Sequence, residues 1–230
     1  MAVIAVLAAS FAATSCEVDS ARDELIDAPA PSSESAPQRP DRSTQKKIIA
    51  FGDSLTAGFG IAQDEAYPAV LQALIDAEGY PYEVINAGVS GDTSAGGVRR
   101  LDWVLEDRDV AAIILELGAN DGLRGLPPNE MAKNLNVIID AAESRGIPVL
   151  LAGLSFGEST SSRFVTDFVD AYERVASERD VTFMPHFLDN VAGVEELNQS
   201  DGKHPNADGA RVVAGNVWEY LEPMLATASP

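Results

Sequence analysis

Histidine and cysteine are nearly missing from this sequence, two and one among 230 residues. A single cysteine excludes an internal disulfide. Together with two histidines it cannot complete a four-ligand zinc site without enlisting several carboxylates, so no metal is expected. Basic residues are scarce as well, 16 against 36 acidic ones, for a formal charge of −20. That charge repels phosphate backbones and removes the attraction on which nucleic-acid binding depends, which excludes DNA and RNA as partners. Aromatics make up only 7%, but an apolar fraction of 46% and a charged fraction of 23% are those of an ordinary soluble globule. Collagen, an acidic disordered tail and a multispanning membrane protein are ruled out. The length predicts one globular domain plus tails.

The tails come first. Residues 1–15, MAVIAVLAASFAATS, form a short apolar run that ends in small side chains. This is the hydrophobic region and cleavage zone of an export signal, too short for a membrane span. Ala13-Thr14-Ser15-Cys16 resembles a bacterial lipobox, in which the cysteine after the cut receives lipid. Cys16 is therefore the expected lipidation site, giving an exported cell-envelope or periplasmic lipoprotein that meets the membrane through its anchor alone. Cleavage at the same bond by an ordinary signal peptidase, and secretion, is the alternative. Residues 16–45 are rich in Ser, Pro, Ala, Asp and Glu, with prolines at 29, 31, 37 and 40, and carry little to bury. They cannot offset their own ordering entropy, so a disordered tether is expected there and a folded domain over 46–230.

In that domain short apolar runs alternate with longer amphipathic ones, the signature of a parallel sheet covered by helices. The pattern predicts strands over Ile48–Phe51, Tyr82–Asn86, Ala111–Leu117, Pro148–Leu154 and Val181–Pro185. Helices are expected over Ala66–Ala77, Thr93–Leu105, Glu130–Ser144, Phe164–Ser177 and Asp208–Leu225. The result is a three-layer α/β/α domain, whose ligands gather at the carboxyl ends of the strands.

The residues at those ends are unusual. The first strand runs into Gly52-Asp53-Ser54-Leu55, a sharp turn that exposes a serine. The second ends in Asn86-Ala87-Gly88-Val89-Ser90-Gly91-Asp92 and the third in Gly118-Ala119-Asn120-Asp121, so small or amide side chains permit close backbone approach. Far downstream, Asp201 and His204 share one turn just before Asn206, which is placed to cap the last helix.

The four blocks FGDSLTAG, INAGVSGDTS, ELGANDGLRG and DGKHPN, in this order and at these strand ends, resemble those of the SGNH (GDSL) hydrolases. The closest branch is that of bacterial thioesterase I, lysophospholipase and arylesterase, and the resemblance covers roughly residues 47 to 225. It implies a flavodoxin-like sheet of five parallel strands in the order 2-1-3-4-5. It also implies Ser54 as nucleophile, Asp201 and His204 as the rest of a triad, and Gly88 and Asn120 as oxyanion donors. The chemistry agrees. A serine hydroxyl needs a base to take its proton, and His204 serves only if Asp201 holds its other nitrogen as a donor. The oxyanion then falls to the Ser54 and Gly88 backbone N–H groups and the Asn120 amide, with no cofactor. The expected substrate is a small to medium acyl ester or thioester. A lysophospholipid or an acetylated carbohydrate is the alternative for the same triad, and a catalytically silent envelope binding module is the alternative of another class.

Simpler readings stand beside these. Gly153-Leu154-Ser155-Phe156-Gly157 matches the nucleophile-elbow pattern G-x-S-x-G, but Ser155 is followed by an open, serine-rich stretch where an elbow enters a helix. His186 has no D-x-x-H partner, and Asp53, Asp92 and Asp121 read as loop braces. The charge itself yields a first prediction, since residues from Lys46 onward carry 29 acidic against 13 basic side chains. Screening relieves such self-repulsion, so activity and melting temperature should hold or rise from low salt to about molar NaCl. A steep loss of both with salt would refute it.

Overall fold

The computed structural model describes residues 42–106, 109–154 and 163–228. The expected signal at 1–15, Cys16, nearly all of the tether and Ser155 lie outside the described residues.

Five strands form one all-parallel sheet: β1 (Lys46–Gly52), β2 (Tyr82–Asn86), β3 (Val110–Glu116), β4 (Val149–Ala152) and β5 (Thr182–Met184). Their order is β2-β1-β3-β4-β5, the order that the resemblance implied. The apolar runs explain it. Ile48, Ile49, Ala50 and Phe51 of β1 and Ala112 to Leu115 of β3 are fully buried, so these strands must lie in the middle with both faces covered. The edge strands β2 and β5 are only partly buried, which suits their mixed sequences YEVIN and TFM.

Among the described residues seven α-helices accompany the sheet: α1 (Ser54–Ala57), α2 (Tyr67–Ala77), α3 (Ser94–Leu105), α4 (Ala119–Leu123), α5 (Pro128–Glu143), α6 (Arg163–Glu178) and α7 (Ala207–Ala228). Helix α2 packs on α7, and α5 packs on both α3 and α6. The spacing of apolar residues sets their faces. In α5, Met131, Ala132, Leu135, Ile138, Ile139 and Ala142 are buried at intervals of one, three and four residues, a stripe along one side of a 3.6-residue helix. Each of the larger side chains, Met131, Leu135, Ile138 and Ile139, contributes about 1.5–3 kcal/mol relative to exposure.

Strand and long-helix bounds fall within one to three residues of those read from the pattern. Helices α1 and α4 are the additions. Four and five residues long, they are too short to show a helical period; α1 is made by local capping, the Asp53 side chain accepting from the Leu55 N–H and Gly58 closing the helix at φ 75°. Asn206 begins α7 as expected, its Oδ1 accepting from Asp208 and Gly209 at 3.0 Å. Asp121 does brace a loop. It is buried and accepts from both the N–H (2.8 Å) and the hydroxyl (2.6 Å) of Ser94, tying α4 to the start of α3.

Because every strand runs the same way, the ends of β1, β2 and β3 open on one edge of the sheet. With β1 between the other two, the turn at Ser54 lies between the segments that follow Asn86 and Glu116.

Candidate active site

Ser54 sits where β1 stops and α1 begins, and three side chains fix that turn. Asp53, fully buried, caps α1 through Oδ1 and accepts from the Asn120 amide through Oδ2 at 2.9 Å. Asn86, at the end of β2, donates to the Thr56 carbonyl at 2.9 Å. Glu116, at the end of β3 and also fully buried, accepts at Oε2 from the Thr56 hydroxyl (2.8 Å) and the Asp53 N–H (3.3 Å). Side chains at the carboxyl ends of β1, β2 and β3 thus all hold the serine turn.

His204 reaches Ser54 from the far end of the chain. Its Nε2 lies 2.9 Å from Ser54 Oγ and its Nδ1 2.5 Å from Asp201 Oδ2. The other Asp201 oxygen accepts from the Lys203 and His204 N–H groups at 2.9 and 3.1 Å, so carboxylate and imidazole are locked within one turn. The bond to His204 first, and these two N–H groups second, hold the Asp201 carboxyl well below the usual carboxylate range. A charged acceptor at Nδ1 leaves Nε2 free to face the Ser54 hydroxyl as a base. The Phe59 ring covers the His204 ring, centroids 4.8 Å apart. Beside this pair lies a cavity of only about 10 Å³, walled by Leu55, Phe59, Ile61, Tyr67, Phe187 and Val213.

Ser54, His204 and Asp201 are thus joined by hydrogen bonds and Asn120 is bonded to Asp53 beside them, whereas the Gly88 N–H is turned to another partner. The Gly88 N–H donates to Asn86 Oδ1 at 3.0 Å, so its one donor is already engaged. The glycine is needed there for another reason: a Cβ at this position would lie 2.2 Å from the backbone nitrogen of Ala57. Three residues on, Gly91 turns at φ 81°, and among the described residues nothing accepts from its N–H or from that of Ser54. His186 is exposed, away from these bonds.

Sequence reasoning missed Arg100. From α3 it donates to the Gly52 and Ala87 carbonyls (2.8 and 2.6 Å), pairs with Asp92 (2.7 Å) and lies over the Phe51 ring at 4.1 Å. It fastens the ends of β1 and β2 together. Its only sequence signal was the i, i+8 spacing to Asp92, which no local pattern singles out.

Residues 50–212 match the GDSL-like lipase/acylhydrolase family. The chain is similar to esterase TesA of Pseudomonas aeruginosa, 36% identical over 184 residues that span 80% of this chain and 92% of that one. It is similar also to an arylesterase of Vibrio mimicus, 32% identical across 76% and 88% of the two chains. The crystal structure of TesA matches with a TM-score of 0.75 at 37% identity, covering 78% of this chain and 99% of TesA. That of the psychrotrophic esterase EstA from Pseudoalteromonas sp., inhibited by monoethylphosphonate, matches at 0.74 and 30% identity, covering 79% and 100%.

Two buried carboxyls beneath the serine turn have a pH signature. Burial pushes Asp53 up to about 6, against the pull of the Leu55 N–H and the Asn120 amide. Burial first, and the neighbouring Asp53 second, push Glu116 well above the carboxylate range, and Glu116 Oε1 has no hydrogen-bond partner. Carboxyls that bind protons more tightly in the fold add stability below their unfolded values and lose it as pH rises through the folded ones. For Asp53 the window runs from 3.8 to about 6, and Glu116 widens it upward. Glu116→Gln keeps an acceptor for Asp53 and Thr56 but has no proton to lose. Thermal melts from about pH 4 to about pH 8 should show the melting temperature of this variant rising relative to that of the wild type. Parallel curves would contradict the assignment.

Proposed function

Because the chain belongs to the GDSL-like lipase/acylhydrolase family and is a carboxylic ester hydrolase, we propose that Ser54 is its nucleophile, His204 its general base and Asp201 the orienting carboxylate. The observation that carries this reading is the relay from Ser54 Oγ to His204 Nε2 at 2.9 Å and on to Asp201. Ser54 Oγ attacks the acyl carbon while His204 Nε2 takes its proton. The imidazolium is stabilised by Asp201, and the intermediate oxygen carries the full negative charge. The Ser54 N–H and the Asn120 amide receive that oxygen. In the loop after β2, the free N–H of Gly91 is a better third donor than the engaged one of Gly88. When the C–O or C–S bond to the leaving group breaks, His204 returns the proton to the departing alcohol or thiol. Water, deprotonated by the same nitrogen, then attacks the acyl-serine and frees the acid and Ser54.

Asp53 supports this chemistry indirectly. Its carboxylate occupies one N–H of the Asn120 amide and so fixes where the other points. A donor set in advance adds to transition-state stabilisation because it needs no reorganisation as charge develops. The substrates we infer are small to medium acyl esters or thioesters. The cavity beside the triad is small. Exposed apolar side chains instead follow the strand ends: Phe59 after β1, Val89 after β2, Leu123 and Leu126 after β3. They offer an acyl group an open apolar surface. The relatives named esterase, arylesterase and thioesterase 1/protease 1/lysophospholipase L1 agree with an acyl substrate.

Steady-state hydrolysis of an aryl acetate tests the assignment. Ser54→Ala should abolish turnover, and Asn120→Ala should lower kcat about 10²- to 10³-fold. Ser155→Ala should stay within about tenfold of wild type, and turnover that survives the loss of Ser54 would overturn the reading.

We also propose that Cys16 is lipidated after export and that residues 16–45 tether the hydrolase domain off the membrane, as the small residues before Cys16 suggest. Produced in a bacterium behind an export leader with a basic start, the protein should fractionate with membranes, and Cys16→Ala should move it to the soluble fraction. Identical fractionation of the two would remove the anchor.

A further inference from the structure

Ser54 and His204 are 150 residues apart, and neither His204 nor its turn belongs to the sheet. Something must hold the two loops in register. The contacts of Gln199, two residues before Asp201, supply it. Its N–H donates to the His204 carbonyl at 2.8 Å, and its carbonyl accepts from the Gly202 N–H at 2.9 Å, so its backbone closes the turn that carries the base. Its side chain leaves that turn. Nε2 donates to the Pro205 carbonyl at 2.9 Å and to the Phe59 carbonyl at 2.6 Å, across 140 residues of chain. Both acceptors are carbonyls, so only the NH₂ end of an amide satisfies them. The nucleophile loop makes room for it: a Cβ at Gly60, where φ is 79°, would lie 2.1 Å from Gln199 Oε1.

We propose that Gln199 is a positioning residue, whose one side-chain amide clamps the loop after Ser54 to the turn bearing His204 and so sets the distance between nucleophile and base. This rests on the reading of Ser54 and His204 as the catalytic pair. The Phe59 ring is part of the same device, since the residue whose carbonyl Gln199 holds also lays its ring on His204. Asp201 is outside it. The Asp201–His204 bond lies within one turn and does not need the clamp, so Gln199 governs where the base sits while Asp201 governs its tautomer.

Displacements of about 1 Å at reacting groups cost on the order of 100-fold in rate, which sets the scale of the expected effect. Gln199→Met keeps the length of the side chain and removes both donors. Gln199→Glu keeps the shape and turns a carboxylate toward two carbonyls. The readout is kcat per active site, titrated with a fluorophosphonate, so that a misfolded fraction lowers the titre and leaves the rate per site untouched. Gln199→Met should lose about 10- to 100-fold in kcat per site, with KM within about threefold. It should also react with the fluorophosphonate more slowly by a similar factor, since that attack needs the same base. Gln199→Glu should be slower still. Retention of the low-field proton resonance of the Asp201–His204 pair in Gln199→Met would support a base that is displaced and not undone. Wild-type kcat per site and wild-type labelling rate in Gln199→Met would overturn the proposal while leaving Ser54 as nucleophile. Label on a residue other than Ser54 in the wild-type protein would instead remove the catalytic reading, and the clamp with it.

Discussion

The contact of Ser54 with His204 depends on one constraint of the sheet, that β1 lies between β2 and β3 and pairs with both. A parallel strand flanked on both sides must be apolar on both faces, and IIAF in β1 meets that demand. The polar groups of its exit turn then have no solvent beneath them. They are satisfied by the neighbours' ends: Asn86 from β2, Glu116 from β3, and Arg100, which reaches over from α3 to the Gly52 and Ala87 carbonyls. The serine is rigid because its surroundings leave the turn no alternative partner.

The same burial that fixes the turn makes it electrostatically costly. Asp53 and Glu116 lie close together and fully buried, and burial makes both hold a proton more tightly than an exposed carboxyl does. Near the surface the logic reverses. Asp201, open to solvent and served by three donors, stays charged beside the His204 ring. Within one site, carboxyls at the bottom support by shape and hydrogen bonding, and the carboxylate at the rim supports by charge.

The outline was legible in the sequence because it rests on strong local signals. The apolar runs of β1 and β3 and the stripe of α5 mark buried strands and an amphipathic helix, and Asp201-x-x-His204 sets a carboxylate and an imidazole in one turn, the pair that the family resemblance implied. Elsewhere the signal was tertiary. The bonds of Gln199 to Phe59 and of Glu116 to Thr56 join residues 140 and 60 apart, and no local pattern marks either. Gly88 shows the limit from the other side. A glycine after a strand admits a close approach, but from sequence alone the approaching group could be a substrate oxygen or the backbone of Ala57, and here it is Ala57.

The central claim is that hydrolysis passes through an acyl group on Ser54, and the direct measurement is to trap it. Enzyme mixed with an aryl acetate, quenched in acid within milliseconds, digested and examined by mass spectrometry should show one acetylated peptide, with the acetyl group on Ser54. An acetyl group on Ser155, or full turnover with no acyl-enzyme at any time of quenching, would contradict it.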